Sequence, residues 1–110
     1  MKILKRIGII DIGSNSIRLV VFDGPKRSPL YLYNEKVFFR LGLQSFGKKA
    51  FDNATLKAVS RIINRYVGIC RNMEINKIIM FGTSALREAS NSDVLVEVIR
   101  KNTNILVDVI

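Results

Sequence analysis

The chain has 110 residues and a mass of 12.5 kDa, enough for one domain spanning residues 1–110 and too little for a two-domain enzyme. One cysteine, Cys70, and no histidine exclude an intramolecular disulfide and a zinc site built from nitrogen and sulfur ligands. Eighteen Lys and Arg against nine Asp and Glu leave a net charge of +9, which favours polyanionic partners: nucleic acid, anionic headgroups or polyphosphate.

The apolar, β-branched run Ile7-Gly8-Ile9-Ile10 reads as a first strand reaching Asp11, and Gly13-Ser14-Asn15-Ser16 as the loop that ends it. Ile17 to Phe22 is a second strand, closed by Asp23-Gly24-Pro25, so the two form a hairpin. Tyr31, Tyr33, Val37, Phe38 and Phe39 place a third strand between Leu30 and Arg40. Asp52 or Asn53 caps a long helix to about Asn72, in which Val59, Ile62, Ile63, Tyr66, Cys70 and Met73 recur at helical spacing. Lys57, Arg61 and Arg65 repeat every four residues on its other side and read as a solvated face, with a specific anion site as the alternative. A fourth strand covers Asn76 to Gly82, followed by a helix over Ala85 to Ala89. Asn91 or Ser92 then caps a helix through Asn102 with Val94, Leu95, Val98 and Ile99 inward, and a fifth strand runs from Ile105 to Ile110. Strands followed by helix-linked strands give an α/β fold with a mixed sheet, whose ligands gather beyond the strand ends.

No apolar run approaches the roughly 18 residues of a membrane helix, and the start lacks a signal-peptide core, so a cytoplasmic protein without a membrane partner is expected.

Two strand ends carry the candidate chemistry. Gly13 permits close backbone approach, Ser14, Asn15 and Ser16 supply donors to a phosphate, Asp11 is placed to hold Mg²⁺, and Arg18 can meet further anionic oxygens. The same loop would also serve as a plain hairpin turn. Gly82-Thr83-Ser84-Ala85-Leu86-Arg87 repeats a strand-to-helix passage where N–H groups attract anions, with Arg87 as a cationic fork; an ordinary helix cap is the alternative.

The segments Gly8 to Leu19, Arg40-Leu41-Gly42 and Thr83 to Asn91 resemble, in order and spacing, the N-terminal part of the exopolyphosphatase and guanosine pentaphosphate phosphohydrolase (Ppx/GppA) family. The resemblance covers essentially all 110 residues. It implies a ribonuclease H-like sheet of the actin, chaperone ATPase and sugar kinase superfamily, in the order βββαβαβ and truncated after the fifth strand. It also implies hydrolysis of the terminal phosphoanhydride of polyphosphate, or of the terminal phosphate of guanosine pentaphosphate, with Mg²⁺ and an attacking water. Gly13, Ser14, Asn15, Ser16, Arg18, Ser84 and Arg87 would bind phosphate and Asp11 would stand near the metal, with Arg40 ranked below them. The family's glutamate base, second phosphate loop and second domain would follow Ile110, so this chain resembles half of a site. A binding fragment that captures polyphosphate or a guanosine polyphosphate without cleaving it is the alternative. A nucleic-acid-binding domain ranks last, because Phe and Tyr are not interleaved with Lys and Arg. A missing C-terminal part or self-association through an uncovered apolar surface is the expected partnership.

Overall fold

The computed structural model describes residues 6–24, 31–42 and 50–110. Strands β1 (Ile7–Ile12), β2 (Ser16–Phe22) and β3 (Tyr31–Phe38) come first. Helix α1 (Asn53–Asn72), β4 (Lys77–Gly82), helices α2 (Ser84–Glu88) and α3 (Ser92–Thr103), and β5 (Asp108–Val109) follow. The strands form one sheet in the order β3-β2-β1-β4-β5. β1 pairs antiparallel with β2 and parallel with β4, β2 pairs antiparallel with β3, and β4 pairs parallel with β5.

Period-two alternation decides what each strand buries. Ile10 and Ile12 of β1, with Ile17, Leu19 and Val21 of β2, point to the helix-covered face and have no exposed surface. Helix α1 covers that face with Thr55, Val59, Ile63, Tyr66, Val67 and Cys70, a stripe at helical spacing. Its start is fixed by the Asp52 carboxylate, which accepts from the Thr55 N–H at 2.7 Å. The Tyr66 hydroxyl donates to the Ile17 carbonyl at 2.8 Å, pinning the helix to the strand beside the first loop. At Gly8 a Cβ would lie 2.8 Å from the Cys70 sulfur, so the helix rests where that side chain is missing. Burial raises the Cys70 thiol pKa above its usual range.

Three expectations are corrected. The last strand is confined to Asp108–Val109 instead of Ile105–Ile110, because the chain leaves α3 through a left-handed Asn104 and meets β4 only at Phe81 and Gly82. Val94 is 44% exposed, since the face of α3 that meets the core is carried by Leu95, Ile99 and Thr103. Asn91 stands at the N-cap of α3 without a side-chain cap bond. Its amide is used elsewhere, accepting from the Phe51 N–H at 2.8 Å and donating to the Phe51 carbonyl at 2.9 Å, which ties the entrance of α1 to that of α3.

The opposite face of the sheet carries Ile7, Ile9, Asp11, Arg18, Val20, Phe22, Lys36, Phe38, Ile79 and Phe81, none of them buried. Phe38 is 80% exposed and Ile79 38%.

Candidate functional site: a phosphate cradle at two strand ends

Residue Ile12 is the register partner of Gly82, so β1 and β4 run side by side and release the chain at one edge of the sheet. Beyond β1 the loop turns back at once, with the Gly13 N–H donating to the Ser16 carbonyl at 2.9 Å. A second stretch of chain crosses this loop after β3. The Phe39 N–H donates to the Asn15 carbonyl at 3.0 Å and the Gly42 N–H to the Ser14 carbonyl at 2.9 Å. A Cβ on Gly42 would lie 3.4 Å from the Ser14 Cβ, an ordinary van der Waals contact, so the two stretches of chain touch at this crossing. The spacing of Arg40-Leu41-Gly42 thereby acquires a structural reason: Leu41 is fully buried and the flanking amides clamp the loop. Arg40 projects from between them, exposed.

Beyond β4 the chain makes one tight turn. The Thr83 N–H donates to the Ile12 carbonyl at 3.3 Å, and the Thr83 carbonyl accepts from Leu86 and Arg87 at 3.0 and 3.1 Å, which closes α2. A Cβ on Gly82 would fall 1.9 Å from the Leu86 Cδ1, so only glycine lets the helix fold back this closely. That approach places the Ser84 hydroxyl 2.7 Å from the Ser14 hydroxyl. Between two hydroxyls one donates, and the acceptor keeps its own O–H for a ligand oxygen. Helix α2 has only five residues, too short for a sizeable dipole, so any anion there would be met by local N–H and O–H groups.

The predicted residues therefore fall into three sets. Gly13, Ser14, Asn15, Ser16 and Ser84 converge at the joined strand ends. Asp11 and Arg18 are register partners on neighbouring strands, one residue inside the loop and on the open face. Arg87 lies apart on the β5 side, where its Nη1 donates to the Ile110 carbonyl at 2.6 Å. The sequence reading missed Lys36. It is the register partner of Arg18 on β3, so Asp11, Arg18 and Lys36 form one row across three strands. Arg18 thus stands between the opposite charge of Asp11 and the like charge of Lys36, whose ammonium lies 5.3 Å from the centroid of the Phe38 ring, and the row as a whole keeps one positive charge in excess. The missed signal lay in strand register, which composition does not reveal.

Among the described residues no group of three His, Cys, Asp or Glu side chains could hold a metal by itself. Mg²⁺ makes a smaller demand: one or two carboxylates, waters and the phosphates of a substrate. Asp11 beside a loop of N–H and hydroxyl donors fits that demand.

Comparison with known proteins gives relatives of the whole described sheet and its helices. Exopolyphosphatase 1 of Mycobacterium leprae is 32% identical over 108 residues, which is 96% of this chain and 31% of that protein. The structure of an exopolyphosphatase from Cytophaga hutchinsonii superposes with a TM-score of 0.88 at 33% identity, covering 96% of this chain and 34% of that one. The Aquifex aeolicus Ppx/GppA family member shares the fold with a TM-score of 0.90 at 19% identity, over 98% of this chain and 35% of its own. The chain thus spans about a third of the length of these relatives. The match to the family model runs from residue 20 to residue 110, through the stretch after β3, helices α1, α2 and α3 and the second strand-end turn: the chain belongs to the Ppx/GppA phosphatase family.

Proposed function

We propose that this chain supplies the phosphate-binding part of a phosphoanhydride hydrolase of the exopolyphosphatase type, acting on inorganic polyphosphate or a guanosine polyphosphate. The observation that carries the reading is the Ser14–Ser84 hydroxyl pair, which joins two loops 70 positions apart into one cradle of donors. In the same proposal the sheet belongs to the ribonuclease H-like group of actin, the chaperone ATPases and the sugar kinases, in which a ligand sits between such strand ends.

The roles follow from the chemistry of the groups. The hydroxyls of Ser14, Ser16 and Ser84, with the main-chain N–H groups of Ser14 and Asn15, bind the oxygens of the terminal phosphate and orient it for in-line attack, while Gly13, whose N–H closes the turn on Ser16, lets the backbone come close. Arg18 and Lys36 neutralise the next phosphates of the chain and hold the leaving end. Asp11 would hold Mg²⁺, which when bound supplies positive charge to the bridging and departing oxygens. A general base must stand within hydrogen-bond reach of the attacking water. Glu88 and Asp93 are exposed on α2 and α3, so we assign the base to the two thirds of the relatives that this chain does not match.

The test is binding and turnover by the 110-residue chain. Polyphosphate should bind weakly, with affinity that falls as salt rises, and should not be cleaved. Arg18→Ala should lower the affinity roughly fivefold, the effect of about 1 kcal/mol from one exposed charge contact. Turnover that disappears in Asp11→Ala would show that the chain already holds its base and would overturn that assignment.

A further inference from the structure

The basic stripe of α1 is exposed at Lys57, Arg61 and Arg65, as a solvated face requires, but its members differ in what they meet. Arg65 is spent on Glu35, with its Nη2 2.9 Å from the carboxylate. Lys57 and Arg61 line a shallow, open groove of about 460 Å³ between α1 and α3. Helical spacing builds one wall from Asn53, Lys57, Ser60, Arg61 and Asn64 of α1, and Asn102 of α3 stands opposite. Leu56 and Val98 supply its apolar floor.

Three features distinguish the groove from an ordinary seam between helices. No carboxylate lines it. Lys57 and Arg61 line it with no hydrogen bond or ion pair among the described residues, a state they share with Arg18 and Arg40 at the strand-end site, whereas Arg65, Arg71, Arg87 and Arg100 each have a partner. The Ser60 hydroxyl, also in the lining, is buried and unpartnered, although serine in a helix can bond back to a carbonyl one turn earlier. A hydroxyl in that state costs about 1–3 kcal/mol unless something satisfies it.

We propose that this groove is a second anion site, separate from the strand-end cradle, and that it takes a small oligophosphate. Lys57 and Arg61 lie one turn apart and can grip successive phosphates. Ser60 and the three asparagine amides supply neutral hydrogen bonds. A nucleoside triphosphate and an inorganic tripolyphosphate share this chemistry; the apolar floor would add affinity only for the nucleoside.

The experiment titrates the 110-residue chain with tripolyphosphate and, separately, with a nucleoside triphosphate, following backbone amides by NMR. Amides of residues 57–64 and 98–102 should shift along one saturable curve. Arg61→Ala and Lys57→Ala should each weaken that curve roughly fivefold, about 1 kcal/mol for one exposed ion pair. Arg18→Ala should leave it unchanged, which separates this site from the proposed cradle. Ser60→Ala should weaken binding yet raise the thermal midpoint of the free protein, a combination that a packing role for the hydroxyl does not produce. Tighter binding of the nucleotide identifies a nucleotide as the source, and equal binding identifies an inorganic chain; either supports the site. Absence of shifts in α1 and α3 with both ligands, or shifts unaltered by Arg61→Ala, or shifts lost with Arg18→Ala, would overturn it.

Discussion

Single hydroxyls do much of the positioning in this molecule. Tyr66 is fully buried, and burial first, with the charge of Glu35 second, pushes its phenol up to about 12 from the ordinary value near 10. The folded state therefore holds this proton more tightly than the unfolded chain does. Its contribution to stability is complete below about pH 10 and is lost as pH rises from there toward 12. Tyr66→Phe should cost about 1 kcal/mol at neutral pH, from the lost bond to Ile17, and should flatten the alkaline limb of the denaturation profile; a pH series of urea melts checks both. At the cradle, Lys36→Ala should weaken polyphosphate binding about as much as Arg18→Ala does. By relieving the like-charge pairing across β2 and β3 it should leave the melting temperature unchanged or higher. An affinity and a thermal melt on the same variant suffice to test this.

At the scale of elements, close backbone approach sets the site. Gly82→Ala drives a methyl group into the fully buried Leu86, so α2 must move off the end of β4 and carry Ser84 away from Ser14. The expected cost is about 1–3 kcal/mol in denaturant unfolding, with a loss of polyphosphate affinity beyond what Ser84→Ala causes. Most elements were legible in the chain because their signals are local: alternation in β1 and β2, an Asp cap before the apolar stripe of α1, and Gly82-Thr83-Ser84 at a strand end. The short β5 was not legible. Val107 is buried by packing and not by ladder bonds, so an apolar run there reads as strand without being one. The convergence of the two loops followed from both lying at the ends of adjacent strands. The row Asp11–Arg18–Lys36 and the groove of Lys57 and Arg61 required register and helix packing, neither of which periodicity alone supplies.

Among the described residues the sheet has one face covered by helix α1 and one without a covering helix, and the candidate site lies at the edge where they meet. Ile7, Ile9, Val20, Phe22, Ile79 and Phe81 give the open face an apolar centre with Arg18 and Lys36 at its upper end. Soluble monomers seldom leave such a patch uncovered. The 110-residue chain should accordingly bind a fluorescent hydrophobic dye in the native state, and Ile79→Lys should reduce that signal without lowering the unfolding midpoint by more than about 1 kcal/mol. Self-association at high concentration, read by sedimentation, is the corresponding expectation. The central claim is narrower: two loops distant in sequence make a single phosphate site. Its most direct test follows the amides of residues 13–16 and 83–86 during a titration with polyphosphate. Both sets should move along one binding curve, and Arg18→Ala should shift both curves together. Separate affinities for the two loops, or shifts spread evenly over the basic surface with neither loop singled out, would contradict the account.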